Sequence, residues 1–233
     1  MSSSSRQSRR DAARRREQAA GRPRWLLPAL AVLAVVVVGG AAVLLSGQPS
    51  DPGAQSSARP SASGGSVTGD APTITGLSLV PFENPDGDAA VGQPAPTVVG
   101  ASFDGRSVAI GGNGRPQMLL FLAHWCSHCQ AEVPLVQAWL DQGGLPDGVD
   151  VVSVSTSTDP AAPNYPPEEW LAREGWTPPV MVDPTGSVAT AFGLPAFPYF
   201  VFVNADGTVA GRMTGEVPIT DLDAIADQLA AGG

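Results

Sequence analysis

Residues 117–129 read Gln117-Met118-Leu119-Leu120-Phe121-Leu122-Ala123-His124-Trp125-Cys126-Ser127-His128-Cys129. A near-continuous apolar run of this length predicts a central strand covered on both faces. Behind it, residues 127–142 place Val133, Val136, Trp139 and Leu140 at helical spacing, and Gly143-Gly144 closes the helix. The chain has 2 cysteines, and both stand at this strand-to-helix junction. The first helical turn offers unpaired N–H groups and the positive end of the macrodipole, and both favour negative sulfur. A thiolate is the attacking species in thiol–disulfide exchange. Cys126, at the junction, is the candidate nucleophile. Cys129, one turn into the helix, is near enough to resolve a mixed disulfide.

Further strands are predicted on either side. Segments 97–103 and 107–110 flank Asp104-Gly105, a hairpin signal, and 199–203 and 208–213 flank Asn204-Ala205-Asp206-Gly207, a second one. Segments 149–155 and 179–182 complete the set. Helices are expected at 167–174, which opens on Pro167 and two Glu, at 187–192, and at 220–230, where Leu222, Ile225, Ala226 and Leu229 form a stripe. Strands alternating with helices, then a closing hairpin and helix, predict an α/β fold: a central mixed sheet with helices on both faces.

The charge is distributed unevenly. The whole chain of 233 residues carries a formal −9, yet its first 24 residues hold eight Arg and two acids, a net +6. Residues 47–233 hold five Arg and twenty acids, a net −15, which argues against nucleic acid as a partner. Between them, residues 26–46 carry no charge over 21 positions, and roughly 20 suffice to cross a bilayer core. Trp25 sits at the edge, and the Arg-rich flank marks the cytoplasmic side. The expected organisation is a cytoplasmic basic tail (1–24), a transmembrane signal anchor (25–46), a flexible Ser/Pro/Gly-rich linker (47–91) and one folded domain (92–233). That domain would lie outside the cytoplasm on a single-pass membrane protein. A cleaved signal peptide is the competing reading, with Gly39-Gly40-Ala41-Ala42 as a weak cleavage site.

Two bland readings compete for the cysteines. A structural disulfide over two intervening residues closes a tiny loop and removes little entropy from the unfolded chain, so it makes a poor staple. A metal site would draw on His124, Cys126, His128 and Cys129, but an extended 120–124 turns His124 away from the helix end, and the chain has only 2 His. Redox use of the pair is the better account, with no metal and no cofactor beyond the Cys126–Cys129 disulfide itself. His128, lying between the sulfurs, would favour the thiolate when cationic.

The motif Ala-x-Trp-Cys-x-x-Cys after an apolar strand resembles the thioredoxin-like fold. More narrowly, the chain resembles the membrane-anchored, extracytoplasmic TlpA/ResA/DsbE-type thiol–disulfide oxidoreductases. Gly92-Gln93-Pro94-Ala95-Pro96 is similar to that family's domain opening, and Cys129-Gln130-Ala131-Glu132-Val133-Pro134 to its continuation of the motif. The resemblance implies that Glu132 assists proton transfer at the resolving thiol, while Pro134 shapes the helix. A half-buried carboxyl one turn beyond Cys129 would hold its proton to near neutral pH, as that role requires. The resemblance also implies a cis Phe197-Pro198 bond facing the cysteines, with Phe197 docking an extended substrate. Trp125 and Ser127 complete the motif, Trp125 as an apolar shield. One departure is Leu120, at the place where thioredoxin has a buried Asp. The implied partners are protein thiols or disulfides and a membrane redox partner, for a monomer. The direction stays open. His128 favours an oxidant of the DsbA kind, the resemblance favours a reductant such as those serving cytochrome c maturation, and a copper metallochaperone is the rival from another class.

Overall fold

The computed structural model describes residues 71–232. Its elements follow in the order β1 (Thr73–Thr75), β2 (Thr97–Ala101), β3 (Ser107–Ile110), β4 (Gln117–Leu122), α1 (Ser127–Asp141), β5 (Asp150–Thr156), α2 (Pro167–Arg173), β6 (Val180–Asp183), α3 (Ser187–Ala191), β7 (Tyr199–Val203), β8 (Val209–Thr214) and α4 (Ile219–Ala231). The expected transmembrane segment at 25–46 lies outside the described residues. Among those described, no helix is long and apolar enough to cross a membrane.

All six residues of β4 are buried. The strand runs through the middle of a five-stranded sheet of order β6-β5-β4-β7-β8. It pairs in parallel with β5 and antiparallel with β7. Side chains alternate across a strand. Leu119 and Phe121 therefore join one core, with Val152, Val154, Tyr199 and Val201, under α3 and the separate β1-β2-β3 sheet. Met118, Leu120 and Leu122 join the other, with Val133 and Val136 of α1, Trp170 of α2, and Leu222 and Ala226 of α4. The apolar run is unbroken because both faces are covered, and the mixed sheet matches the expected class.

The register positions the site. Phe121 lies opposite Tyr199, so the residues just before β7 meet the residues just after β4. Cys126 and Pro198 thus arrive at one end of the sheet from strands whose hydrogen bonding fixes their separation.

The linker expected to run to residue 91 ends earlier. Ile74 pairs with Val98 through β1, Leu79 N–H donates to Ala191 O at 2.8 Å, and Phe82 N–H to Gly193 O at 2.9 Å. Leu79, Phe82 and Ala90 are core residues. Burying a large apolar side chain is worth about 1.5–3 kcal/mol, which is enough to hold an irregular segment against the sheet. Pro81, Pro85 and Gly87 deny the segment regular structure, but they do not prevent its packing. Gly193 permits the close approach. Its φ is +71°, and a Cβ there would overlap Val80 O and stand 2.9 Å from Arg212 Nη1.

A buried ion pair pins the same segment. Arg212 of β8 donates through Nε to Asp88 Oδ2 at 2.8 Å, and through Nη1 to Val80 O at 2.9 Å, Phe192 O at 3.2 Å and the Tyr199 hydroxyl at 3.2 Å. Its guanidinium also lies 5.3 Å from the centre of the Phe82 ring. The Arg212 hydrogen bonds hold the Asp88 carboxyl below its ordinary proton affinity.

Candidate active site

Cys126 is the N-cap of α1, with extended backbone at φ −74° and ψ 119°. Its own N–H donates to Ala123 O at 3.0 Å, which tightens the turn out of β4. The side chain is 9% exposed, whereas Cys129 is fully covered at 0%. Both thiols are free. The Cys126 thiol lies 3.8 Å from the Phe197 carbonyl, within sulfur hydrogen-bonding range. Burial pushes the proton affinity of Cys129 far above that of an ordinary thiol, with the charges of Cys126 and Glu132 adding to the effect. Of the two cysteines, Cys126 is the less covered.

Glu132 lies one helical turn beyond Cys129 and is 1% exposed. One neighbour supports it: the Val217 N–H donates to its Oε1 at 3.2 Å. Burial pushes its pKa up to about 7, the Val217 hydrogen bond works against that rise, and the charge of Glu216 adds to it. A carboxyl of this kind exchanges its proton at neutral pH, which suits acid–base work. Leu120 is fully buried in the core below and supplies no titratable group.

The remaining motif residues surround the sulfurs. Trp125 donates through Nε1 to Ser157 O at 2.7 Å and sits edge-on to the Phe197 ring, with centroids 5.9 Å apart. Ser127 is exposed in the first turn of α1. His128 projects outward, 65% exposed, and its Nδ1 lies 2.7 Å from Glu216 Oε1. The Phe197–Pro198 bond is cis, and Pro198 is buried. Its carbonyl accepts hydrogen bonds from Gly215 N–H at 2.9 Å and from the Thr214 hydroxyl at 3.2 Å.

His124 faces away from the cysteines. Its Nε2 accepts the Asp159 N–H at 3.1 Å, so the ring proton sits on Nδ1 and donates to Pro163 O at 2.7 Å. With both nitrogens engaged, His124 has none to offer the sulfurs. Among the described residues, no group of three His, Cys, Asp or Glu side chains is arranged to hold a metal ion.

Two contributors escape a reading of the sequence: Glu216, which meets His128, and the Val217 backbone, which meets Glu132. Residues 215–217 follow an unremarkable edge strand, and nothing in their composition announces contacts 85 and 88 positions away.

The model of the Redoxin family matches residues 90–229. The chain belongs to this family. Residues 71–89, with β1 and most of the docked segment, precede the matched Redoxin region. The soluble secreted antigen MPT53 of Mycobacterium tuberculosis is 30% identical over 114 residues, which cover 49% of this chain and 60% of the antigen. The chain thus spans less than two thirds of that relative. The thiol-disulfide oxidoreductase ResA of Geobacillus thermodenitrificans is 27% identical over 134 residues, or 57% of this chain and 74% of ResA. A crystal structure of a thiol:disulfide interchange protein of the thioredoxin family from Chlorobium tepidum superimposes with a TM-score of 0.50 at 24% identity, covering 64% of this chain and 98% of that one. That likeness concerns the fold alone, which is thioredoxin-like.

Proposed function

We propose that this Redoxin protein is a thiol–disulfide oxidoreductase acting on protein cysteines. The observation that carries the reading is the staging of the two sulfurs: Cys126 is the less covered, at a helix N-cap, and Cys129 lies fully buried one turn on beside a carboxyl whose pKa is pushed up to about 7. In the reductive direction, the Cys126 thiolate attacks a substrate disulfide. A sulfur–sulfur bond to the substrate forms, and the other substrate sulfur leaves and takes a proton. Glu132 then accepts the Cys129 proton, Cys129 attacks Cys126, and the second substrate sulfur departs as a thiol. Two electrons have passed to the substrate, and the Cys126–Cys129 disulfide remains. Phe197 and Trp125 form an apolar rim against which an extended substrate lies, with the Phe197 carbonyl facing the reacting sulfur.

Reduction is the favoured direction, since the motifs resemble the reductive members of the TlpA/ResA/DsbE type and His128, the argument for an oxidant, is paired with Glu216. The 21 uncharged residues behind an Arg-rich tail support a membrane anchor with the Redoxin domain outside the cytoplasm. A membrane dithiol donor would then restore the pair, and apocytochrome c is a suitable substrate. Copper delivery is disfavoured because His124 is committed to Asp159 and Pro163.

Trapping tests the activity. Cys129→Ser should accumulate mixed disulfides through Cys126, visible on non-reducing gels, and Cys126→Ser should abolish both the adducts and insulin reduction. Insulin reduction that survives Cys126→Ser, with no trapped species, would sink the proposal. A reduction potential near about −270 mV supports the reductant, whereas one near about −120 mV reverses the direction.

A further inference from the structure

The turn between β8 and α4 touches both halves of the site. Thr214 Oγ1 donates to the carbonyls of Ala196 at 3.1 Å and Pro198 at 3.2 Å, which steadies the segment carrying Phe197. Two residues on, Glu216 reaches across to α1, where the His128 Nδ1–H donates to its Oε1 at 2.7 Å. The next residue, Val217, supplies the N–H that meets Glu132. The turn therefore binds the substrate-facing loop, the dithiol motif and the buried carboxyl.

His128 has special weight because the motif helix offers no other cation. Residues 118–142 contain no Arg, and the whole chain contains no Lys. The only other basic side chain of that stretch, His124, is held as the neutral tautomer by its two backbone partners. His128 is thus the one side chain of the motif helix able to place a positive charge near the Cys126 sulfur. A cation there stabilises the thiolate, and a stabilised thiolate makes the reduced form more stable and the disulfide a stronger oxidant. A carboxylate that binds Nδ1 ties the ring to the β8–α4 turn, so the imidazole is not free to swing its charge over the sulfur, and the field of a charge weakens with distance.

We propose that Glu216 is a positioning residue that claims the His128 imidazole as its counter-ion and so makes the Cys126–Cys129 pair less oxidising than its Cys-Ser-His-Cys sequence implies. This inference rests on the oxidoreductase reading. Glu216 touches no reacting atom; it acts through the ring it holds.

The test is a double-mutant cycle read as a redox equilibrium. The full-length chain is equilibrated with glutathione and glutathione disulfide at mildly acidic pH, where surface imidazoles carry charge. Two glutathione thiols reduce one protein disulfide to the dithiol, giving one glutathione disulfide. Glu216→Gln should shift this equilibrium about two- to five-fold toward the protein dithiol, the range expected for one exposed charge pair. In a His128→Ala background, the same substitution should shift it by less than half as much. A Glu216→Gln protein with an unchanged equilibrium, or with an equal shift in both backgrounds, overturns the role of Glu216 and leaves the oxidoreductase reading intact. A pair that never interconverts between dithiol and disulfide in any background overturns both.

Discussion

Asp88 and Glu132 are both buried carboxyls, and they belong to the layers on opposite sides of the central sheet. Asp88 meets a guanidinium through two charge-assisted hydrogen bonds and keeps its charge. Glu132 meets a single backbone N–H and has no cation, so burial dominates and its proton is held to about pH 7. Two carboxyls shielded from water thus show opposite chemistry, and the Arg212 partner is the main reason that Asp88 keeps its charge. The fully paired acid fixes the N-terminal segment in place. The under-paired acid is left able to give and take a proton, and it lies beside the resolving sulfur.

The contrast can be broken most severely from the Asp88 side. Arg212→Met strands that carboxylate in the core and should cost about 3–5 kcal/mol of unfolding free energy in urea melts. Adding Asp88→Leu should recover most of the loss, because the pair itself contributes little beyond an apolar replacement. A single Arg212→Met that melts like the parent protein would show that Asp88 does not depend on its partner.

The next largest effect is a pH dependence of opposite sign at the two sites. The folded-state pKa of Glu132 is raised from 4.5 to about 7, so the unfolded chain binds fewer protons between those values. Stability is then fully present below the unfolded value and falls as pH rises through the window, by up to about 3 kcal/mol. Asp88, with its proton affinity lowered, contributes stability above its unfolded value of 3.8 that is lost as pH falls further. Comparing pH-stability curves of the parent and Glu132→Gln isolates the first slope. A difference curve flat from pH 4.5 to 7 would remove the raised proton affinity.

Chemistry sharpens the contrast further. At neutral pH, Glu132→Gln should slow resolution of the mixed disulfide by on the order of 10²-fold in stopped-flow thiol exchange. Alkylation of Cys126 by iodoacetamide should change little, because Glu132 lies one turn beyond Cys129 and two turns from the first sulfur. The smallest effect belongs to Tyr199→Phe, which deletes the hydroxyl bonded to Phe192 O at 2.9 Å and to Arg212. Nη1 of Arg212 keeps two carbonyl partners, so the expected loss is about 1 kcal/mol, with the redox potential unmoved.

Much of this was legible before the structure. The unbroken run 117–122 gave the central strand because a strand covered on both faces has no polar side to alternate. The turns at Asp104-Gly105 and Asn204–Gly207 gave both hairpins. The local spacing of Cys126, Cys129 and Glu132 put them on one helix, since helical periodicity needs only near neighbours. What stayed hidden depends on partners far along the chain. Asp88 sits in a Pro/Gly-punctuated stretch that looks like tether, and only Arg212, 124 residues later, reveals it as an anchor. The solitary N–H that leaves Glu132 under-paired comes from Val217, and the commitment of His128 comes from Glu216. These are contacts of tertiary packing, to which hydrophobic periodicity is blind.

Gly193 has a consequence for descent. The carbonyl of Val80 occupies the space where any other residue would carry its Cβ. A lineage that acquires a side chain at this position must evict or reroute the segment before the Redoxin region, whereas one that loses the segment still meets a left-handed backbone at φ +71° that favours glycine. A side chain at this one loop position therefore marks, in a comparison of sequences, a relative whose upstream segment is not docked in this way, even after that segment has diverged too far to align.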